Sequence, residues 1–387
     1  MRRMDTDIAS QARMPHLNLA LQGGGSHGAF TWGVLDALLE DGRVGIEGLS
    51  GTSAGAVNAV ALASGWATAE QAGQAPREGA RQALRRLWEQ VAAWGSLGAW
   101  QRNMVALLWG GLPPELAPAS YLQGALRNLM SPYQANPLDI NPLRDLLAEQ
   151  IDFEAIAHHP HLKVFVSATH VNTGKAVVFS GRQLNIDAVL ASACLPMLFK
   201  AVEIEGEAYW DGGYSVNPAL SPLISQCAAA DLVLVQINPL RRGELPRAPG
   251  EILDRINELT FNASLLTQMR GLDFINELVA HGALAPPHAR TVRVHRIDGG
   301  AAMQRFPVAS RASPDPAMIQ QLHELGRESA RTWLTQHFEA LGRHGTVDIR
   351  ADYLDDTRLA LPPAPGAKPR GFRPWLARLL KRQKTPG

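Results

Sequence analysis

Residues 46–55 read Ile-Glu-Gly-Leu-Ser-Gly-Thr-Ser-Ala-Gly and run straight into a stretch of alanine, valine and leucine. Ile46–Ser50 is a brief strand candidate, and Ser53–Gly65 has the length and small side chains of a buried helix. Between them lies Gly51-Thr52-Ser53-Ala54-Gly55, a G-x-S-x-G sequence. A serine on so sharp a strand-to-helix turn is strained, and the residues two positions away must have almost no side chain. Gly51 and Gly55 meet that demand, Ala54 keeps the surroundings small, and the following helix points its positive end at Ser53. The same layout occurs once more upstream. Leu17–Leu21 is an apolar strand that stops at Gly23-Gly24-Gly25-Ser26-His27-Gly28, and Ala29–Glu40 follows with Phe30, Val34, Leu35, Leu38 and Leu39 at helical spacing. Two strand–turn–helix units in succession predict an α/β fold with a parallel sheet.

The first glycine cluster is chemically ambiguous. Backbone N–H groups at such a turn converge with a helix N-terminus and favour negative charge, in a phosphate or in an oxyanion. It also satisfies G-x-G-x-x-G, with Glu47 at about the distance of a ribose-binding acid, so a dinucleotide-binding protein is one reading. The serine turn favours another, nucleophilic catalysis, which needs a base. His170, His281, His288 and His295 are candidates by residue type, but none sits in a recognisable motif. His158-His159-Pro160-His161 lacks Cys or acidic partners at metal-ligand spacing and reads as a loop. Asp211 stands at the end of a strand and is followed by Gly212-Gly213. That is either a simple turn or a carboxylate whose glycines let it approach another backbone closely.

The rest of the chain fits one catalytic unit with additions. From Trp66 to Pro160 the pattern is helical and loop-like, read as a helical insertion or cap, and four tryptophans fall in Trp88–Trp109. These either pack or cover a lipid-sized cleft. Strands are predicted at Leu162–His170, Lys175–Ser180, Val202–Ile204, Glu207–Trp210, Asp231–Ile237 and Thr291–Ile297, with helices at Ile186–Leu195, Glu251–His281 and Ala317–Leu341. The expected division is a flexible leader over 1–15, a catalytic domain over 16–345 with the insertion at 66–160, a linker over 346–367 and a tail over 368–387. Five prolines in residues 361–374 mark the linker. Only two cysteines occur, which excludes a disulfide framework and makes a reducing, cytoplasmic setting the expectation. Cys194 reads as a packed small residue. No apolar run reaches the ~20 residues of a membrane span.

Taken together, the ordered motifs resemble those of patatin-like phospholipases. Gly23–Gly28, Gly51–Gly55 and Asp211-Gly212-Gly213 match in that order. Ala191-Ser192-Ala193-Cys194-Leu195-Pro196 with Phe199 resembles the Pro-ended segment before the family's Asp-Gly-Gly, and Asn217-Pro218 resembles the residues after it. The resemblance spans about residues 16–240. It implies a three-layer α/β/α fold around a mostly parallel sheet and a serine lipid acyl hydrolase of phospholipase A type. Ser53 would be the nucleophile and Asp211 the base, in a dyad without histidine that passes through an acyl-enzyme. Gly24 and Gly25, within the loop Gly23, Gly24, Gly25, Ser26, His27 and Gly28, would bind the oxyanion. The implied substrate is a phospholipid or another acyl-ester lipid, with no cofactor, no metal and no nucleic acid. His27 stands where the family often has Arg or Lys, which opens the role of that position, including that of a base. The rival readings are a Ser-His-Asp esterase, in which the serine turn ordinarily comes after several strands, and a catalytically silent membrane-interaction module. An aspartate of reference pKa ≈ 3.9 is a weak base for an alcohol, so the dyad requires a buried, mostly apolar setting.

The charges nearly cancel, 37 basic against 36 acidic residues, which excludes a uniformly basic nucleic-acid binder. The balance hides a division: residues 368–387 carry Lys368, Arg370, Arg373, Arg378, Lys381, Arg382 and Lys384 and no acid. Phe372, Trp375, Leu376, Leu379 and Leu380 give that tail an apolar side. A basic amphipathic segment behind a proline-rich linker predicts a peripheral membrane anchor, or else a solubilising tail.

Overall fold

The computed structural model describes residues 14–108, 131–136, 139, 141–241, 245–284, 290–306, 310–311 and 314–354. Eight strands form one sheet: β1 (His16–Leu21), β2 (Gly45–Thr52), β3 (Lys163–His170), β4 (Ala176–Ser180), β5 (Val202–Ile204), β6 (Glu207–Asp211), β7 (Asp231–Gln236) and β8 (Arg293–Asp298). Their order is β5-β6-β3-β2-β1-β7-β8, with β4 also on β3. The centre, from β3 through β2, β1 and β7 to β8, is parallel, whereas β4, β5 and β6 join antiparallel.

The central strands are apolar on both faces because both are covered. Leu17, Leu19, Leu21, Val233 and Val235 face one core with the helices α1 (Gly28–Asp41), α2 (Ala54–Gln71), the first half of α3 (Pro76–Leu108) and α7 (Pro316–His337). Ala20, Leu232 and Leu234 face a second core, under α6 (Pro249–Ala280). Two further helices, α4 (Pro142–Gln150) and α5 (Ile186–Ser192), close the first layer. This is the expected three-layer α/β/α sandwich around a mostly parallel sheet. α2 is buried along nearly its whole length, which is why its composition is apolar all round.

Two expected boundaries differ. The start of the 66–160 stretch is part of the helical layer: α2 continues to Gln71, and α3 packs on it through buried Ala80, Ala83, Leu84, Leu87 and Trp88. Trp88 stacks on Trp32 and donates to the Asn58 side chain at 3.0 Å, and Trp94 packs on the same core. Both therefore do structural packing, while Trp109 lies outside the described residues. The start of the 346–367 linker is also folded. Ile349 and Tyr353 are buried, and the Tyr353 hydroxyl donates to Gln236 at 2.8 Å. A single aromatic turn carries no periodicity, so the sequence pattern could not separate it from the proline-rich stretch beyond. The tail 368–387 and nearly all of the leader lie outside the described residues.

Candidate active site

The register of β3 brings the two candidate groups together. β2 runs parallel to β3 until Thr52 pairs with Ser167, and there the chain turns away. β4 occupies the opposite edge of β3, so β6 continues along the edge that β2 has left, with Asp211 opposite Ala168. Ser53 and Asp211 thus follow adjoining register positions at the carboxyl end of the sheet, although they are far apart in sequence.

Ser53 has φ 54 and ψ −123, a conformation that L-residues avoid unless the surroundings enforce it. It occupies the N-cap position of α2, where serine ordinarily caps with its hydroxyl, yet the side chain makes no cap hydrogen bond. The hydroxyl is left for other work. A Cβ on Gly51 would overlap the Gly55 carbonyl, and one on Gly55 would overlap the Leu21 carbonyl. The backbone N–H of Ser53 donates to Ser192 Oγ at 2.9 Å.

Asp211 is wholly buried. Its N–H donates to the Cys194 carbonyl at 2.8 Å, and its carbonyl accepts from Thr169 Oγ1 at 2.8 Å. Oδ1 accepts the Gly213 N–H at 2.7 Å. Oδ2 is buried without a partner in ordinary hydrogen-bond geometry, and the Ser53 side chain makes a looser contact with the carboxyl. Burial pushes the Asp211 pKa up to about 7, against the Gly213 N–H and the Ser53 hydroxyl, which pull it down. Gly212 has no room for a side chain, because a Cβ there would overlap the Ser167 carbonyl.

The glycine-rich loop lies against the serine turn. A Cβ on Gly23 would stand 2.8 Å from the Thr52 oxygen and 2.9 Å from Ser53 Cβ. The loop is pinned from outside: the Gly23 N–H donates to Asn217 Oδ1 at 2.7 Å, and Asn238 Nδ2 donates to the Gly23 carbonyl at 2.9 Å. The His27 N–H returns to the Gly24 carbonyl and the Gly28 N–H to Gly25 and Ser26. None of the described hydrogen bonds engages the N–H of Gly24 or Gly25. The Gly23 N–H, by contrast, is already engaged.

The histidines are accounted for elsewhere. His27 is buried, its Nε2 lies 2.8 Å from Ser310 Oγ, and burial together with nearby Arg311 lowers its pKa to about 3. The ring is neutral throughout the working pH range. Replacing His27 by glutamine should therefore keep turnover within about fivefold and leave the pH–rate profile in place, with only the Ser310 hydrogen bond, about 1 kcal/mol, at stake. A loss as deep as that of a nucleophile deletion would overturn this. His295 bonds to Asp231 at 3.1 Å at the amino end of β7, the opposite end of the sheet from Ser53. His170 is paired with Glu207 at 2.8 Å on the outer hairpin, His281 ends α6, and His288 lies outside the described residues. His159 bonds to Glu70 at 2.9 Å. None of the described histidines is hydrogen-bonded to Ser53. Glu47, the candidate ribose ligand, accepts the N–H groups of Ala228 and Ala229 at 2.6 Å each, so it serves a turn. Burial pushes the Cys194 thiol up to about 12, in keeping with a packed side chain.

Sequence reasoning gave no role to Ser192, Asn217, Asn238, Thr169 or Arg311. Ser192 and Asn217 stood within recognised segments; the others carry no local signal.

A serine held off its helix cap thus stands beside a buried carboxyl on a three-layer α/β/α sheet. A model of the patatin-like phospholipase family matches residues 19–224, more than half of the chain, and the chain belongs to that family of lipid acyl hydrolases. No curated protein matches the chain. Among solved structures, VipD from Legionella pneumophila is similar over 84% of this chain and 67% of its own, at 17% identity and a TM-score of 0.39. Among the described residues no helix is long and apolar enough to cross a membrane.

Proposed function

We propose that the chain cleaves fatty acyl esters as a phospholipase A-type hydrolase through a Ser53–Asp211 dyad. The observation that carries this reading is the pairing of a strained, uncapped serine with a fully buried carboxyl at adjoining positions along β3. In the first step Asp211 takes the proton of Ser53, and Oγ bonds to the ester carbonyl carbon. The N–H groups of Gly24 and Gly25 and the amino end of α2 receive the negative oxygen. As the tetrahedral species collapses, the alcohol leaves with the proton held by Asp211, and the acyl group remains on Ser53. Asp211 then deprotonates a water that attacks the acyl-enzyme, the fatty acid departs, and the proton returns to Oγ.

Burial makes this chemistry feasible. A carboxyl titrating near 7 is about a thousandfold more basic than one near 4. Because the base must be ionised, kcat/KM should rise with pH through about 7 and level off above it. A fluorophosphonate should modify Ser53 with the same dependence, mapped by mass spectrometry, and fatty acid should be released from a phospholipid. A flat profile between roughly pH 5 and 8.5, or label on another residue, would rule out the dyad.

The catalytic unit we assign runs from residue 16 to at least Leu354, with the tail 368–387 as a peripheral membrane anchor. The lipid class rests on the family and the anchor on the charge pattern, and deleting residues 368–387 should weaken binding to anionic vesicles while leaving hydrolysis of a soluble ester intact.

A further inference from the structure

The Gly23–Gly24 peptide is held by its oxygen. β1 lies between β2 and β7 in the sheet, so the glycine-rich loop that leaves β1 has the serine turn on one side and the chain after β7 on the other. Asn238 stands two residues past β7 and is wholly buried, and its Nδ2 donates to the Gly23 carbonyl at 2.9 Å. The carbonyl therefore points to the β7 side. In a planar trans peptide the C=O and the following N–H point in opposite directions, and this peptide is trans. The Gly24 N–H is thereby turned to the β2 side, where Ser53 lies. Gly23 is closed against that turn, with no room for a side chain between it and Ser53.

The Asn238 amide is itself fixed in one orientation. Gln22 Oε1 accepts the backbone N–H groups of Ile237 at 3.0 Å and of Asn238 at 2.9 Å, so the Asn238 side-chain atom 3.2 Å from that oxygen is the donor Nδ2. Nδ2 thus places its two protons on Gln22 and Gly23. Turned over, the amide would set Oδ1 against two other oxygens. Behind Gln22, its Nε2 donates to Asn262 Oδ1 at 3.4 Å, and Asn262 Nδ2 donates to the Pro239 carbonyl at 3.1 Å. Asn238 Oδ1 is buried with no hydrogen-bond partner among the described residues. Buried polar atoms are ordinarily paired, and one left unpaired asks for a reason. This side chain gives up its acceptor in order to place both donors.

We propose that Asn238 is a positioning residue for the oxyanion site: it holds the Gly23 carbonyl away from Ser53, so that the Gly24 N–H faces the oxygen that turns negative on the ester. This rests on the hydrolase reading. The hydrogen bond accepted by the Gly23 oxygen also polarises its peptide, which makes the Gly24 N–H a stronger donor. Because the donor is set before substrate arrives, the loop has no reorganisation to make during the reaction. Asn217 fixes the preceding peptide in the same way from its other end, by accepting the Gly23 N–H at 2.7 Å.

The test compares the full wild-type chain with Asn238→Ala, Asn238→Ser and Asn238→Leu on a soluble short-chain ester, well below the melting temperature; three sizes of replacement guard against one that does not fold. kcat should fall about 10- to 100-fold while KM stays within about threefold, because the contact acts on the transition state, and deleting a donor outright costs about 10²–10³. The rise of rate with pH should keep its midpoint of about 7, since Asp211 is untouched. A merely structural role would lower the melting temperature and leave kcat of the folded chain intact, and that result overturns the proposal. The second readout needs no turnover. Glycine labelled with carbon-13 at the carbonyl and with nitrogen-15 isolates by NMR the amides that follow a glycine, Gly24 among them. In wild type the Gly24 N–H should exchange with solvent faster than the Gly23 N–H that Asn217 holds, and in the variants its signal should move and broaden. A Gly24 N–H as protected as that of Gly23, or a signal that every folded variant leaves in place, overturns the proposal whatever the activities. If wild type cleaves no ester, the hydrolase reading fails, while a Gly24 signal displaced in the variants upholds the held peptide.

Discussion

Exchanging Asp211 for asparagine is expected to remove turnover and to raise the melting temperature at the same time. The loss should be about 10³- to 10⁴-fold, the range for deleting a general base. The gain follows from linkage. The carboxyl has a pKa of about 7 in the folded chain against an ordinary 3.8. Below about pH 4 both states hold the proton and the group is neutral towards stability. Between 4 and 7 the unfolded chain releases it while the folded chain keeps it, so stability falls as pH rises. Above 7 the fold carries the full penalty of a buried anion, roughly 4 kcal/mol. Asparagine has no such penalty, and its Oδ1 still accepts the Gly213 N–H. At pH 8 the variant should melt several degrees higher, and near pH 4 the difference should vanish. Ser53→Ala supplies the contrast. It should lose turnover as deeply but gain no stability, because the carboxyl remains and loses the hydroxyl contact that lowers its pKa. Near-normal turnover in Asp211→Asn would remove Asp211 from the mechanism, and a lower melting temperature at pH 8 would show that its ionisation is not a strain on the fold.

The same residues show what sequence can and cannot convey. The two strand–turn–helix units were legible because their signals are local: an apolar run, a glycine cluster and a 3.6-residue period. The ends were less so. α2 continues past Gly65 to Gln71 because α3 covers it, a tertiary cause. The meeting of Ser53 and Asp211 was reached through resemblance, since the register that puts β6 on the edge vacated by β2 leaves no mark in either strand. The supports of the site were less legible still. Ser192 holds Ser53 across 139 residues, Asn217 holds Gly23 across 194, and Asn238 holds Gly23 across 215. One polar side chain on one backbone group has no period and no composition.

Gly55→Ala is expected to be strongly destabilising, although it adds a single methyl. The added Cβ would overlap the Leu21 carbonyl oxygen and stand 2.8 Å from its carbon and 2.9 Å from the Gln22 oxygen. All three are backbone atoms at the end of β1, and that end cannot retreat. Leu21 is paired with Gly51 on one side and Val235 on the other, and the Gln22 N–H donates to the Val235 carbonyl at 3.2 Å. Relief has to come from moving the serine turn or breaking the sheet, at about 3 kcal/mol or more. Either outcome displaces Ser53, so turnover of any ester should fall at least about a hundredfold even in the molecules that remain folded. The control is Gly271→Ala in α6, where a Cβ meets nothing within 4 Å. There the same methyl should raise stability by about 0.5–1 kcal/mol, by stiffening the unfolded chain and favouring the helix. If Gly55→Ala melted like wild type with its activity intact, the close contact between β1 and the serine turn would be refuted. The opposite signs expected of one methyl at two helical glycines come from what stands next to each: sheet backbone pinned on both sides at Gly55, and open space at Gly271.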